Sequence, residues 1–133
     1  MRVMVDTNIL LSAALFPNSH IDSIFEFIER EHTLVICDIV IEEFIEVASY
    51  PKFNKTVAAK EFLKKLRFEA YETPKVVPLE GVSIRDDNDY DILFSAIKSK
   101  IDIFLTGDKD FLECGVKSPK MMNLHQFEEN YKY

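Results

Sequence analysis

The chain has 133 residues, 47% of them hydrophobic and 29% charged, and a formal net charge of −7. That length suits one ordinary domain, 1–133, with a single core, and the composition is far from that of a disordered chain. The acidic balance opposes general nucleic-acid binding, but it does not exclude an enzyme that meets phosphates through a metal. No apolar run approaches the ~18–20 residues of a membrane span, and the start shows no signal peptide. The two cysteines, Cys37 and Cys114, form no metal or disulfide pattern. A soluble cytoplasmic protein is the expectation.

The first strand, Arg2–Val5, runs into Asp6-Thr7-Asn8 and then a helix over 8–15. An ionised carboxylate at the edge of a core loses hydration and needs a proton, a cation or donors in return. In open α/β sheets, the carboxyl ends of the strands are where ligands bind. Asp6 is thus either half of a hydrogen-bonded turn or the first ligand of a cation site. The next helix, over 21–31, carries Ile21, Ile24, Phe25 and Ile28 at the spacing of a half-buried face.

A strand over Leu34–Cys37 leads to a helix over 39–50. Val40, Ile41, Phe44, Val47 and Ala48 form its apolar side. Glu43 flanks that side, whereas Glu42 and Glu46 point further away; a Glu in this position is ordinarily a surface residue. A helix over 57–71 places Lys60, Lys64, Arg67 and Tyr71 on one face, opposite Ala59, Phe62, Leu63 and Leu66. This stripe reads first as a solvated face and second as a phosphate contact, with Tyr71 available for stacking.

A short strand at Val76–Val77 and an irregular loop over Glu80–Asp87 precede a helix over 89–99. Asp89 aligns with Ile92, Leu93, Ala96 and Ile97, and Asp91 points roughly opposite. Asp89 either caps the free N–H groups of the first turn or reaches into a polar site below the helix. A strand over Ile103–Leu105 ends at Thr106 and Gly107, and Asp108 and Asp110 open a helix over 108–113, where an N-cap is the ordinary reading. A strand at Met121–Met122 and a helix over 124–131 complete the chain. Asn123 and Gln126 have the spacing of a capping box. His20, His32 and His125 are scattered and form no ligand set.

Alternating strands and helices point to a parallel sheet covered on both faces. In such a sheet, the strand-end acids Asp6 and Asp108 and the inward-lying Glu43 and Asp89 can converge on one crevice. Without cationic partners they would repel, and some would be protonated. A hard divalent ion, Mg2+ or Mn2+, removes that problem because it prefers oxygen ligands.

Four segments in order, VDTN with Ser12 after it, IEEFIEV, DDNDYDILFSA and FLTGDKDF, resemble the PIN-domain family, specifically its bacterial and archaeal toxin components related to VapC-type ribonucleases. The resemblance covers nearly the whole chain. It implies a three-layer α/β/α sandwich with a central parallel sheet, and it places the family's acidic quartet on Asp6, Glu43, Asp89 and Asp108. Asp110 matches a frequent extra acid, and Asn8, Ser12 and Thr106 match polar residues that hold the acids. Asp86 matches a loop or capping position.

Two departures stand out: Lys100 replaces a frequent Gly, and Cys37-Asp38 replaces a frequent Ser, so that Asp38 would cap the Glu43 helix instead. The resemblance further implies Mg2+- or Mn2+-dependent hydrolysis of RNA, a small antitoxin as partner, and a homodimer. The alternative is a catalytically inactive PIN scaffold that binds RNA or protein. A phosphatase that uses a strand-end Asp nucleophile usually has a second Asp two residues on; Asn8 at that position counts against one.

Overall fold

The computed structural model describes residues 1–131. Five strands, β1 (Arg2–Val5), β2 (Thr33–Cys37), β3 (Glu69–Tyr71), β4 (Ile103–Leu105) and β5 (Lys120–Met122), form one sheet in the order β3-β2-β1-β4-β5. Every pairing is parallel, with Met4 beside Val35 on one side and Phe104 on the other. The helices are α1 (Thr7–Leu15), α2 (Ser19–Glu31), α3 (Asp38–Ala48), α4 (Thr56–Lys65), α5 (Asp87–Lys98), α6 (Lys109–Leu112) and α7 (Leu124–Asn130).

Successive strand residues face opposite sides of a sheet. Val3, Met4 and Val5 are all fully buried, as are Val35, Ile36 and Cys37. Both faces are therefore covered by helices, which is the three-layer α/β/α sandwich. The β1, β2 and β4 runs accordingly read as continuous apolar segments rather than alternating ones.

The structure corrects the sequence reading between residues 57 and 77. The helix expected over 57–71 ends at Lys65, and Leu66 already has extended backbone (φ −78°, ψ 132°). The third strand is Glu69–Tyr71, and Val76–Val77 forms no strand. Periodicity could not show this, because the edge strand has little apolar content: Glu69 and Ala70 are exposed. It forms by pairing with Val35–Cys37, and Arg2 grips Glu69 through both carboxylate oxygens at 2.9 and 2.6 Å. Arg67 and Tyr71 are consequently off the helix, and the four-residue stripe with Lys60 and Lys64 does not form.

Residues 72–86 contain no helix or strand, but they are tethered. The Tyr90 hydroxyl accepts from the Leu79 N–H at 2.6 Å and donates to the Val77 carbonyl at 3.1 Å. The Ser83 N–H donates to the Cys114 carbonyl at 3.2 Å. Lys100, in the turn that leaves α5, has φ 58°, so this chain keeps a left-handed turn with a side chain that disfavours it. The Asn123–Gln126 capping box forms with both bonds present. Cys37 and Cys114 are buried free thiols.

Candidate metal centre

The strand order reverses beside β1. The chain builds β2 and β3 on one side of it, then crosses to β4 and β5 on the other. The carboxyl ends of β1 and β4 therefore form a topological switch point, where such sheets open a crevice. Val5 and Leu105 are register partners, and the residues that follow them, Asp6 and Thr106, turn into this crevice together.

Asp6 is the N-cap of α1 and is 3% exposed. Its Oδ1 accepts from the Ile9 N–H at 2.8 Å, and its Oδ2 accepts from the Thr106 hydroxyl. Asp6 is thus part of a hydrogen-bonded turn and at the same time lines the crevice. Burial pushes its carboxyl up to about 6, against the Thr106 and Ile9 bonds; the Asp108 and Glu43 charges add to the rise.

Asp108 is the N-cap of the short α6 and accepts from the Asp110 N–H at 2.9 Å. Its own N–H donates to the Thr106 hydroxyl oxygen at 3.0 Å. Asp89 is freed from capping because Asp86 does that work, accepting the Asp89 N–H at 3.0 Å. The half-buried Asp89 carboxyl is pushed up to about 6 by desolvation first, then by the charges of Asp86, Asp108, Glu43 and Asp110. Asp38 does not cap α3. Cys37 holds the N-cap position, and the Asp38 carboxylate instead accepts from the Thr73 N–H at 3.1 Å and from the Thr73 hydroxyl, pinning the chain just past β3.

Glu43 is half-buried on α3, and its Oε2 accepts from the Asn88 side-chain amide. Sequence reasoning missed Asn88. It adjoins Asp89, but its partner lies 45 residues away, beyond the reach of any spacing rule. The tightest group is Asp89, Asp108 and Asp110, each offering a carboxylate oxygen within 4.8 Å of the others. Asp110, expected as a supporting acid, thus lies beside two acids of the quartet.

The crevice, with a volume of about 20 Å³, is lined by Asp6, Thr7, Asn8, Glu43, Asp89, Ile92, Asp108 and Phe111. That is room for one water-sized body. Asn8 thus lies at the crevice and Ser12 one turn further along the exposed side of α1. Among the described residues, neither hydrogen-bonds to an acid. Lys60 and Lys64 are exposed on α4, and Lys64 pairs with Glu61 at 3.7 Å. Arg67 lies before β3, in a groove at the amino ends of the strands lined by Met1, Thr33 and Phe68. That is the end of the sheet away from the acids.

The donor set is almost entirely carboxylate oxygen, with no sulfur or imidazole ligand. Two of its members, Asp6 and Asp89, are pushed towards protonation by burial first and then by the charges of neighbouring acids, Asp108 and Glu43 in both cases. This is the set a hard divalent cation fits, and one such ion would relieve the repulsion. Asp6, Glu43, Asp89 and Asp108 line the crevice, and Asp110 stands beside Asp89 and Asp108; these are the residues that could hold it.

The PIN-domain family profile matches residues 2–110 of the chain. The fold is similar to that of VapBC2 from Rickettsia felis, solved bound to a DNA fragment from its promoter (TM-score 0.70, 17% identity, 92% of this chain and 98% of that one). It is also similar to Mycobacterium tuberculosis VapC20, a sarcin-ricin loop cleaving toxin (TM-score 0.59, 12% identity, 82% and 92%). A third likeness is to the PIN domain of human SMG5 (TM-score 0.55, 15% identity, 99% and 100%). Comparison with curated protein sequences finds no match. The chain belongs to the PIN-domain family.

Proposed function

We propose that this PIN-domain protein is a metal-dependent endoribonuclease that hydrolyses RNA phosphodiester bonds as the toxin of a toxin–antitoxin pair. The observation that carries the reading is the convergence of Asp6, Glu43, Asp89, Asp108 and Asp110 at the β1–β4 switch point. Carboxyls raised by burial and by neighbouring acids are a costly arrangement for a mere scaffold.

Asp6, Asp89 and Asp108 would hold Mg2+ or Mn2+, with Asp110 completing the oxygen set. When bound, the cation supplies a lowered pKa for water and offsets charge on the scissile phosphate. The chain's own residues do the rest. Thr106 orients Asp6 through its hydroxyl and fixes the start of α6 through the Asp108 N–H. Asn88 occupies Glu43 Oε2, leaving Oε1 to accept a proton from the attacking water.

A small antitoxin and a second copy of the chain are the partners this reading adds. The fold shared with VapBC2 supports the first, and the second rests on the family resemblance alone. Cytoplasmic action belongs to the same reading; among the described residues no helix is long and apolar enough to cross a membrane.

The test is cleavage of defined RNAs by purified protein in Mn2+, Mg2+ or EDTA, beside the Asp6→Asn/Asp89→Asn double variant. Cleavage should require the cation and vanish in the variant. Equal cleavage by both proteins would point to a contaminating nuclease. No cleavage by the wild type on any RNA would favour the non-catalytic scaffold.

A further inference from the structure

An acidic crevice on a chain of net charge −7 repels the polyanion it is proposed to cut, so some cation must meet the phosphates. The α4 stripe is not placed to supply it: Arg67 lies at the other end of the sheet, and among the described residues neither Lys60 nor Lys64 pairs with an acid of the centre. Among the described residues, the cationic side chain that pairs with an acid of the centre is Arg85, whose Nη2 donates to Asp110 Oδ1 at 3.3 Å.

The placement of Arg85 has two parts. Its backbone is held from both sides: two residues earlier the Ser83 N–H is bonded to the Cys114 carbonyl, and the next residue, Asp86, is the N-cap of α5. Its side chain, in contrast, is 89% exposed. A fixed root and a free head at the rim of the crevice suit a group that meets a ligand from solution. The guanidinium fork matches two phosphate oxygens better than the single Asp110 oxygen it touches here. An exposed, long, single-contact ion pair is weak, so exchanging it for a phosphate costs little. A cation drawing on the Asp110 carboxylate competes with Arg85 for the same oxygens and leaves the guanidinium available.

We propose that Arg85 is a substrate contact: held at the rim by Asp110, its guanidinium takes an RNA phosphate beside the scissile one. This rests on the reading of the chain as a metal-dependent ribonuclease.

The test compares wild type, Arg85→Ala and Arg85→Lys on one fluorescein-labelled single-stranded RNA of a sequence that the wild type cleaves. Steady-state cleavage gives kcat and KM separately. Binding of the same RNA to each chain carrying Asp6→Asn, measured over a range of salt, gives the electrostatic slope. Arg85→Ala should raise KM about tenfold with little change in kcat. It should also lower the slope of log affinity against log salt by about 0.7, the loss of one phosphate contact. Arg85→Lys should restore the slope but only part of the affinity, because an ammonium cannot make the forked contact.

Unchanged KM and slope in Arg85→Ala, with cleavage intact, would overturn the inference and leave the nuclease reading standing. A fall in kcat alone, with weakened Mn2+ binding, would make Arg85 a holder of Asp110 and also overturn it. A wild type that cleaves no RNA removes both readings.

Discussion

The Thr106 hydroxyl donates to Asp6 Oδ2 from 100 residues away and also accepts the Asp108 N–H at 3.0 Å. One buried hydroxyl thereby joins the ends of β1 and β4 and orients two acids of the centre. Thr106→Val keeps the shape but leaves the Asp108 N–H and Asp6 Oδ2 without this partner. It should destabilise the chain by about 1–3 kcal/mol, and Thr106→Ser should recover most of that. Urea unfolding measures the loss; a valine variant as stable as wild type would show the bridge to be dispensable.

Asp6 and Asp89 titrate near 6 in the folded chain, against about 3.9 for a free aspartate. Between those values the native state binds more protons than the unfolded state. The stability these two groups contribute is therefore greatest below pH ~4 and is lost as pH rises through about 6. Asp89→Asn removes a charge that burial, and then the neighbouring acids, disfavour, so without metal the variant should melt a few degrees above wild type at pH 7.5. The difference should shrink towards pH 4. Divalent metal should raise the melting temperature of wild type and do so much less in the variant. Equal melting of the two metal-free proteins across this range would show that ionised Asp89 carries no such cost.

The Asn88 amide holds Glu43 Oε2, so Asn88→Ala frees the carboxylate to rotate. The loss of a partner that orients a site carboxylate ordinarily costs about 10–100-fold in activity or metal affinity. The expected result is a fall in kcat of that order with KM and melting temperature nearly unchanged. A variant with wild-type kcat would show that Glu43 needs no such support.

Lys100 adopts φ 58° in an exposed turn. The left-handed conformation costs an L residue about 1–2 kcal/mol, part of which returns as glycine's greater freedom when unfolded. Lys100→Gly should therefore stabilise the chain by about 0.5–1 kcal/mol and leave any cleavage unchanged, since the turn lies at the amino end of β4. A shift of the denaturation midpoint to lower urea would contradict this.

The strands buried on both faces were legible because β1, β2 and β4 are largely unbroken apolar runs, and a carboxylate directly after such a run, as Asp6 is after β1, marks a strand end where the charge must find compensation. The direction of Asp89 and the capping box at Asn123 were legible for a similar reason: both depend on spacing within a single helix. The exposed β3 carries no such local signal. Its Glu69 pairs with Val35 and its carboxylate with Arg2, so a reading by periodicity extended α4 through it and misplaced Arg67 and Tyr71.

The sequence by itself determined the layer order and the residues that had to turn away from water, because burial patterns follow local periods of two and 3.6. Tertiary structure decided which acids hold helix ends and which are left free: Asp86 caps α5, Cys37 rather than Asp38 stands at the start of α3, and Asp110 joins Asp89 and Asp108. It also decided what touches them, Thr106 on Asp6, Asn88 on Glu43 and Arg85 on Asp110. Those contacts follow from where the chain crosses from β3 to β4 over the sheet. Such a crossing brings together residues from distant segments, and no local pattern of charge or hydrophobicity encodes it.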